Sequence, residues 1–226
     1  MFPHKQKKMI GIDWGVKTIA TTTDPTYDLL ATGYGKRSAS LLACSQRKMA
    51  RRRPMPGKKS SNGHREAKKQ TARIAKKVAR QRKDTVVKWV KRVVDNHCLI
   101  AVENFKPAFL AKSSMARKAA DNSIGLTKRE LIYRAKRVGR EVVMVSPAYT
   151  TMTCEKCLTR TKSRISLSQR IFLCWFCGHT ADRDRNAAGT ILATAGLYRV
   201  SADAVRHLIF SSEKRQMLAE LGIPRL

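Results

Sequence analysis

The sequence predicts an α/β fold: a mixed sheet with flanking helices, into which a small cysteine-rich unit is inserted near the C-terminal end. Three observations carry that expectation. β-rich runs crowd residues 8–32. Two apolar runs, Leu99-Ile100-Ala101-Val102-Glu103 and Val142-Val143-Met144-Val145, have the near-continuous apolar character of strands covered on both faces. Two C-x-x-C pairs, Cys154/Cys157 and Cys174/Cys177, are separated by a stretch typical of a metal-binding ribbon.

Taken in order, Met9, Ile10 and Ile12 lead to Asp13 in a first strand, Trp14-Gly15-Val16 turns, and Thr18 to Thr22 forms a second strand. Asp24-Pro25 is a turn signal, Tyr27 to Thr32 a third strand, and Gly33-Tyr34-Gly35 its end. From Lys36 to Arg92 the propensity is helical, broken by Pro54-Met55-Pro56-Gly57 and Ser60-Ser61-Asn62-Gly63. The second helix, from about Arg65 to Val94, carries one narrow apolar stripe: Ile74, Val78, Val86, Trp89, Val90 and Val93. Cys98 opens the fourth strand and reads as a buried small hydrophobe; Cys44 supports no reading. Thr127-Lys128-Arg129-Glu130 is a capping box that should open a helix with Leu131, Ala135 and Val138 on one face and Gly139 at its end. Val142–Val145 then reads as a buried strand, and Asp184–Ala195 as a helix packing through Ala188, Ile191, Leu192 and Ala195 and ending at Gly196.

The expected organisation is a core at 1–149 with a basic helical insert at about 36–95, a cysteine ribbon at 150–181, a closing helix at 182–200 and a C-terminal helical tail at 201–226. No apolar run is long enough to span a membrane. MFPHKQKKMIGID has no apolar h-region, so the expected compartment is cytoplasmic.

Charge narrows the function. Forty-seven Lys and Arg against 16 Asp and Glu give a formal +31, a self-repulsion that a polyanionic partner relieves. Nucleic acid is that partner, bound through release of its condensed counterions. The basic clusters place candidate phosphate contacts at Arg51, Arg52, Arg53, Lys58, Lys59, Lys68, Lys69, Arg73, Lys76 and Lys77. A solvated surface helix is the plainer reading of this segment, but Glu66 and Asp84 alone offset the charge of its second helix.

An acidic residue ending an apolar strand needs a partner, because buried charge is costly. Asp13 ends the first strand and Glu103 the fourth, and in a β-β-β-α-β sheet these two strands can lie side by side. Asp184, at the start of the last helix, completes a set of three. Neighbouring carboxylates resist ionising unless a cation lies between them, and hard oxygen donors suit Mg²⁺ or Mn²⁺. Two such ions can activate water and stabilise the leaving oxygen in phosphodiester hydrolysis. Alone, Asp13 could be a turn residue and Asp184 a helix cap; Asp182 is separated from Asp184 by one residue, so the two cannot share a helical face, and Asp182 reads as the loop or capping group.

Cys154, Cys157, Cys174 and Cys177 would close a tetrahedral structural site for one Zn²⁺, leaving no open position for catalysis. The alternation from Arg164 to Leu173 suits both short strands of a ribbon. His179 reads as a neighbour of that site or a surface residue, not as a ligand.

Gly11-Ile12-Asp13-Trp14-Gly15, Val102-Glu103-Asn104, Ser146-Pro147-Ala148-Tyr149-Thr150 and Asp182-Arg183-Asp184-Arg185-Asn186-Ala187-Ala188 follow one another in that order. Over residues 8–196 the chain resembles the C-terminal nuclease half of TnpB proteins, encoded by insertion sequences and related to type V CRISPR effectors. The resemblance implies an RNase H-like (RuvC) fold and a zinc-bearing, nucleic-acid-loading insert. It also implies that Asp13, Glu103 and Asp184 are catalytic carboxylates holding two Mg²⁺, and that the cysteine quartet holds zinc. Family members cut DNA with an RNA guide, and DNA, engaged as a single strand at the active site, and a guide RNA are the expected partners. They also carry a large N-terminal part that recognises guide RNA and a target-adjacent motif. Seven or eight residues precede the first strand here, so a second protein supplying that part is a further expected partner. Ile124 falls near a position where the family has an aromatic residue.

A non-cleaving nucleic-acid binder would explain the basic helices and the ribbon equally well, but it has no use for three carboxylates facing phosphates. A ribosome-associated zinc-ribbon protein leaves Asp13 and Glu103 without a role.

Overall fold

Alternation along two parallel strands sets the architecture. In the computed structural model, which describes residues 8–104, 116–162, 165–166 and 168–200, β1 (Met9–Trp14) runs parallel to β4 (Leu99–Glu103), with Ile10 beside Ile100 and Ile12 beside Val102. Successive strand residues face opposite sides. Ile10, Ile12, Ile100 and Val102 therefore point to one face, and Gly11, Asp13, Leu99, Ala101 and Glu103 to the other.

β2 (Thr18–Thr22) is antiparallel to β1, β3 (Leu29–Leu30) antiparallel to β2, and β5 (Glu141–Val145) parallel to β4, giving the order β3-β2-β1-β4-β5. This is the mixed sheet of the expected RNase H-like class, with the first and fourth strands adjacent.

On the first face, α2 (Asn62–Asn96) contributes Val86, Trp89, Val90, Val93 and Val94, and α4 (Ile124–Arg137) contributes Ile124, Leu131 and Ala135. Trp14 meets Trp89 edge-on at 6.5 Å. On the second face α5 (Arg183–Val200) packs Ile191 and Ala195 against Leu99, Ala101 and Val145. Its close approach depends on Gly11, where a Cβ would stand 2.1 Å from the Ala188 carbonyl oxygen. α1 (Tyr34–Arg51) packs along α2 as a helical hairpin, joined where the buried Ser45 hydroxyl meets the Thr71 hydroxyl at 2.8 Å. α3 (Ala116–Asn122) sends Asp121 back to the start of α1, accepting from the backbone N–H of Gly35 and Lys36 and from Arg82.

Several local expectations are corrected. The third strand shrinks to two residues because Asp24 caps a short 3-10 turn over Pro25–Tyr27. α2 begins earlier than expected, at Asn62, with the Ser61 hydroxyl accepting from the His64 N–H. The helix expected from Thr127 starts one turn sooner, at Ile124; Thr127 lies fully buried inside it, its hydroxyl turned to the Ser123 carbonyl. Burial of Ile124 in the core outweighs the local capping signal. Val138, expected on the packing face, is 48% exposed.

β5 is an edge strand with Met144 exposed, not a strand covered on both sides. Cys98 is half-buried, its thiol 3.3 Å from the Lys8 carbonyl oxygen. α5 runs through Gly196. The ribbon pairs β6 (Ile171–Leu173) with β7 (Thr180–Asp182), so its second strand follows the second cysteine pair instead of preceding it. Part of the alternating stretch read from Arg164 onward, and the whole of the tail at 201–226, fall outside the described residues. Among the described residues no helix is long and apolar enough to cross a membrane.

Candidate carboxylate and cysteine sites

Asp13 lies one residue past the Ile12–Val102 register, and Glu103 one residue past its partner Val102. Both therefore project from the ends of adjacent parallel strands toward the α5 side, where Asp184 stands in the first turn of α5. Asp13 is 9% and Glu103 7% exposed. Burial first, then the charges of Glu103 and Asp184, hold the Asp13 carboxyl well above the usual carboxylate range, against the pull of Arg183. Burial likewise lifts Glu103 to about 7, with a hydrogen bond from Thr150 and the charge of Lys128 drawing it back.

Burial raises both carboxyls even with Arg183 and Lys128 nearby, and the all-oxygen donor set suits a hard divalent cation. Asp13 is within electrostatic reach of both Glu103 and Asp184. Among the described residues, however, the cysteine quartet is the sole group of three or more His, Cys, Asp or Glu gathered closely enough to hold a metal as it stands.

Trp14, Asn104 and Thr150 lie in the sequence motifs, but the contacts by which they fix this site are made across long separations of chain. The Trp14 indole donates to the Glu103 carbonyl oxygen at 3.2 Å, and the Thr150 hydroxyl to Glu103 Oε1 at 3.3 Å. Lys128 Nζ donates to Asn104 Oδ1 at 3.0 Å. Asp184 is flanked by arginines: Arg183 Nη2 at 3.0 Å from Oδ1 and Arg170 Nη1 at 3.6 Å from Oδ2.

Asp182 is the cap of α5, accepting from the N–H groups of Asp184 and Arg185 at 3.0 Å each. Arg185 grips Asp28 with both terminal guanidinium nitrogens, Nη1 and Nη2, at 2.9 and 2.8 Å, and Nη1 also donates to the Thr22 carbonyl. Asn186 accepts from the Glu155 N–H and donates to the Thr153 carbonyl. The one sequence signal for this network was the alternation of acidic and basic residues in Asp182-Arg183-Asp184-Arg185, followed by an amide.

The four cysteine sulfurs lie within 4.8 Å of one another. Cys154 and Cys177 are 3.7 Å apart, Cys157 and Cys174 3.6 Å. A regular tetrahedron with Zn–S bonds of about 2.3 Å has edges of about 3.8 Å, so the thiols match a tetrathiolate zinc site. His179 donates no ligand to it. Its Nε2 sits 3.1 Å from Glu155 Oε1 and its carbonyl accepts from the Cys174 N–H, as expected for a neighbour of the site.

All ten basic residues singled out, Arg51, Arg52, Arg53, Lys58, Lys59, Lys68, Lys69, Arg73, Lys76 and Lys77, are exposed on the α1–α2 hairpin and its connecting loop.

Comparison with known proteins gives this geometry a family. Residues 2–113 match the model described as "Probable transposase", and residues 125–191 that described as "Cas12f1-like, TNB domain". The chain belongs to the TnpB/IS605 transposase family. It is similar to "Putative RNA-guided DNA endonuclease InsQ" of Escherichia coli (strain K12), with 31% identity over 84% of this chain and 50% of that protein. A "Putative RNA-guided DNA endonuclease" of Streptomyces pristinaespiralis is 26% identical over 96% of this chain and 54% of its own length. The chain thus spans about half the length of these relatives. A solved structure entitled "Cryo-EM structure of CRISPR-Cas12f Ternary Complex" superposes with a TM-score of 0.57 at 19% identity, covering 85% of this chain and 40% of that one. That likeness establishes a shared fold.

Proposed function

We propose that this TnpB-family chain is a RuvC-type, divalent-cation-dependent DNA endonuclease module working within an RNA-guided system. The observation that supports the reading is that Asp13 and Glu103 lie on one face of adjacent parallel strands, with Asp13 within electrostatic reach of both Glu103 and Asp184. Asp13, Glu103 and Asp184 are the residues that would hold divalent Mg²⁺ or Mn²⁺ ions through their carboxylate oxygens. Such ions supply water activation and stabilisation of the leaving oxygen in phosphodiester hydrolysis.

The chain's own groups do the rest. Thr150 and Trp14 hold the Glu103 side chain and backbone, and the Arg185–Asp28 clamp fixes the start of α5 and hence Asp184. The exposed cations of α1 and α2 track phosphates, and one narrow strand is the natural occupant of the carboxylate edge. Cleavage leaves a 5′-phosphate and a 3′-hydroxyl. The cysteine quartet would hold one structural Zn²⁺ and leave no position for chemistry. Within this reading residues 1–149 and 182–200 form the nuclease core, 150–181 the ribbon and 201–226 a tail. DNA is the substrate and a guide RNA the partner, as the names of the relatives suggest.

The test is Asp13→Ala in the full chain with Mg²⁺. Cleavage of single-stranded DNA should disappear while DNA binding stays within about twofold. Parallel loss of binding would count against the assignment. Binding by the unaltered chain with no divalent-dependent cleavage would leave a nucleic-acid binder.

A further inference from the structure

Among the described residues, Asp13, Glu103 and Asp184 do not gather closely enough to hold a metal as they stand. Whatever positions them therefore governs how well they bind one. Residues 150–155 touch the supports of two of the three, and the same short segment enters the cysteine quartet.

At its start, Thr150 is buried at the head of a 3-10 turn (Thr150–Met152), and its hydroxyl reaches Glu103 Oε1 at 3.3 Å. Near its end, Cys154 is a fully buried member of the quartet, and both of its neighbours are bonded to α5. The Asn186 amide donates to the Thr153 carbonyl at 2.7 Å and accepts from the Glu155 N–H at 3.0 Å. One side chain thus pairs with the backbone on each side of the thiol. The Thr190 hydroxyl donates to the same Thr153 carbonyl at 2.9 Å. Asn186, Gly189 and Thr190 are three and four residues apart and share one face of the helix. Gly189 makes room there, since a Cβ would stand 2.8 Å from the Glu155 Cβ. Asp184 lies two residues before Asn186, in the first turn of the same helix.

Asn186 is fully buried and Thr190 nearly so. A buried amide that loses its partners has no water to replace them, so a shift of the Cys154 knuckle either breaks these bonds or carries the start of α5 with it. The ribbon and the sheet keep separate buried clusters, which leaves these hydrogen bonds as the link between them. We infer that Asn186 is a positioning residue that, with Thr190, couples the cysteine quartet to the carboxylates, so that zinc occupancy sets how tightly the carboxylates bind a divalent cation. Zinc fixes Cys154, the residues flanking Cys154 fix Asn186 and the turn of helix bearing Asp184, and Thr150 steadies Glu103 from the other end of the segment. Such a coupling is reciprocal: a cation at the carboxylates tightens the hold on zinc by the same factor. The inference rests on the divalent-cation reading of the carboxylates above, but its test reads metal binding and not cleavage.

The full chain is titrated with Mn²⁺, followed by electron paramagnetic resonance, once zinc-loaded and once stripped of zinc with its thiols kept reduced. Thiolates disfavour Mn²⁺, and Asp13→Ala shows which binding belongs to the carboxylates. We expect Mn²⁺ to bind the zinc-loaded chain about fivefold or more tightly than the stripped one. Saturating Mg²⁺, which a soft-donor chelator ignores, should in turn raise zinc retention against that chelator. Zinc-loaded Asn186→Ala should bind Mn²⁺ as weakly as the stripped chain and lose nothing more on stripping. Thr190→Val requires no removal of metal: it should weaken Mn²⁺ binding in the zinc-loaded chain, and Thr190→Ser, which keeps the hydroxyl, should restore it. Equal Mn²⁺ affinity with and without zinc, a zinc effect that survives Asn186→Ala, or a Thr190→Ser that binds no better than Thr190→Val overturns the coupling and leaves the carboxylate reading standing. A zinc-loaded chain that binds no Mn²⁺, or binds it regardless of Asp13→Ala, sinks the carboxylate reading and the coupling with it.

Discussion

The Thr150 hydroxyl donates a hydrogen bond of 3.3 Å to Glu103 Oε1, joining the end of β4 to the segment that leads into the ribbon. Both residues are buried, and this bond is one of two influences offsetting the burial that raises Glu103 to about 7. A carboxyl so placed makes the stability of the cation-free protein depend on pH.

Between about 4.5, the ordinary value, and about 7, the folded chain keeps on Glu103 a proton that the unfolded chain has released. Folding stability without divalent cations should therefore fall as pH rises through that window and level off above it. Asp13, also raised, acts in the same sense. Glu103→Gln removes the penalty at Glu103. It should raise the melting temperature of the Mg²⁺-free, zinc-loaded chain at pH 8, by up to about 3 kcal/mol in stability, and change it little at pH 4.5. Added Mg²⁺ should stabilise the unaltered protein more than the variant. Equal effects of the substitution at both pH values would refute the burial of an ionising carboxylate.

The clamp between Arg185 and Asp28 spans 157 positions of chain and fastens the first turn of α5 to the loop after β2. Side-chain exposures of 27% and 18% place it partly out of solvent, so removing one partner leaves the other incompletely paired. Arg185→Ala should lower stability by about 2 kcal/mol, read from the urea midpoint at constant slope. Arg185→Lys should recover less than half, since a single ammonium cannot reproduce the two-pronged contact. An unchanged midpoint in Arg185→Ala would show the clamp to be energetically idle.

What was legible in the chain and what was not divides by range. β1 and β4 were readable because both announce themselves as apolar runs closed by an acid, and a sheet offers few ways to arrange adjacent parallel strands. The cysteine spacing was readable because two knuckles need only local geometry. Thr127 misled because its capping pattern is local, whereas Ile124 is drawn into the core by α2 and the sheet. Gly196 misled for a similar reason: its helix cost of about 1 kcal/mol is outweighed by the packing of Ile191 and Ala195 on the sheet. Val142–Val145 has the composition of a central strand, and nothing in it reveals that β5 stands at the edge of the sheet among the described residues. Thr150, Asn186 and the Arg185–Asp28 pair act across long separations, and no pattern in one sequence joins them.

The cysteine quartet makes a prediction separable from the nuclease core, because its buried cluster shares no residue with the two packed against the sheet. Chelation should release one zinc per chain. Co²⁺ should then produce the intense charge-transfer bands of four thiolates, which Cys174→Ser should weaken and shift. Circular dichroism should show the helices of the core surviving the loss of metal. Chelation that unfolds the entire chain in one step would mean that the ribbon supports the sheet as well as itself.

Ten exposed cations along α1, α2 and their loop should be visible in the salt dependence of DNA binding. Each duplex phosphate neutralised contributes about −0.9 to the slope of log affinity against log salt. Replacing Lys68, Lys69, Lys76 and Lys77 together with Gln should flatten the slope by up to about 3.6. Thermal stability should hold or rise slightly, because these side chains are exposed and relieving their mutual repulsion costs the fold nothing. Fluorescence anisotropy with labelled DNA from about 50 to 200 mM salt is the measurement. A slope unaffected by all four changes would place the phosphate track elsewhere, and the hairpin of α1 and α2 would then need another partner for its charge.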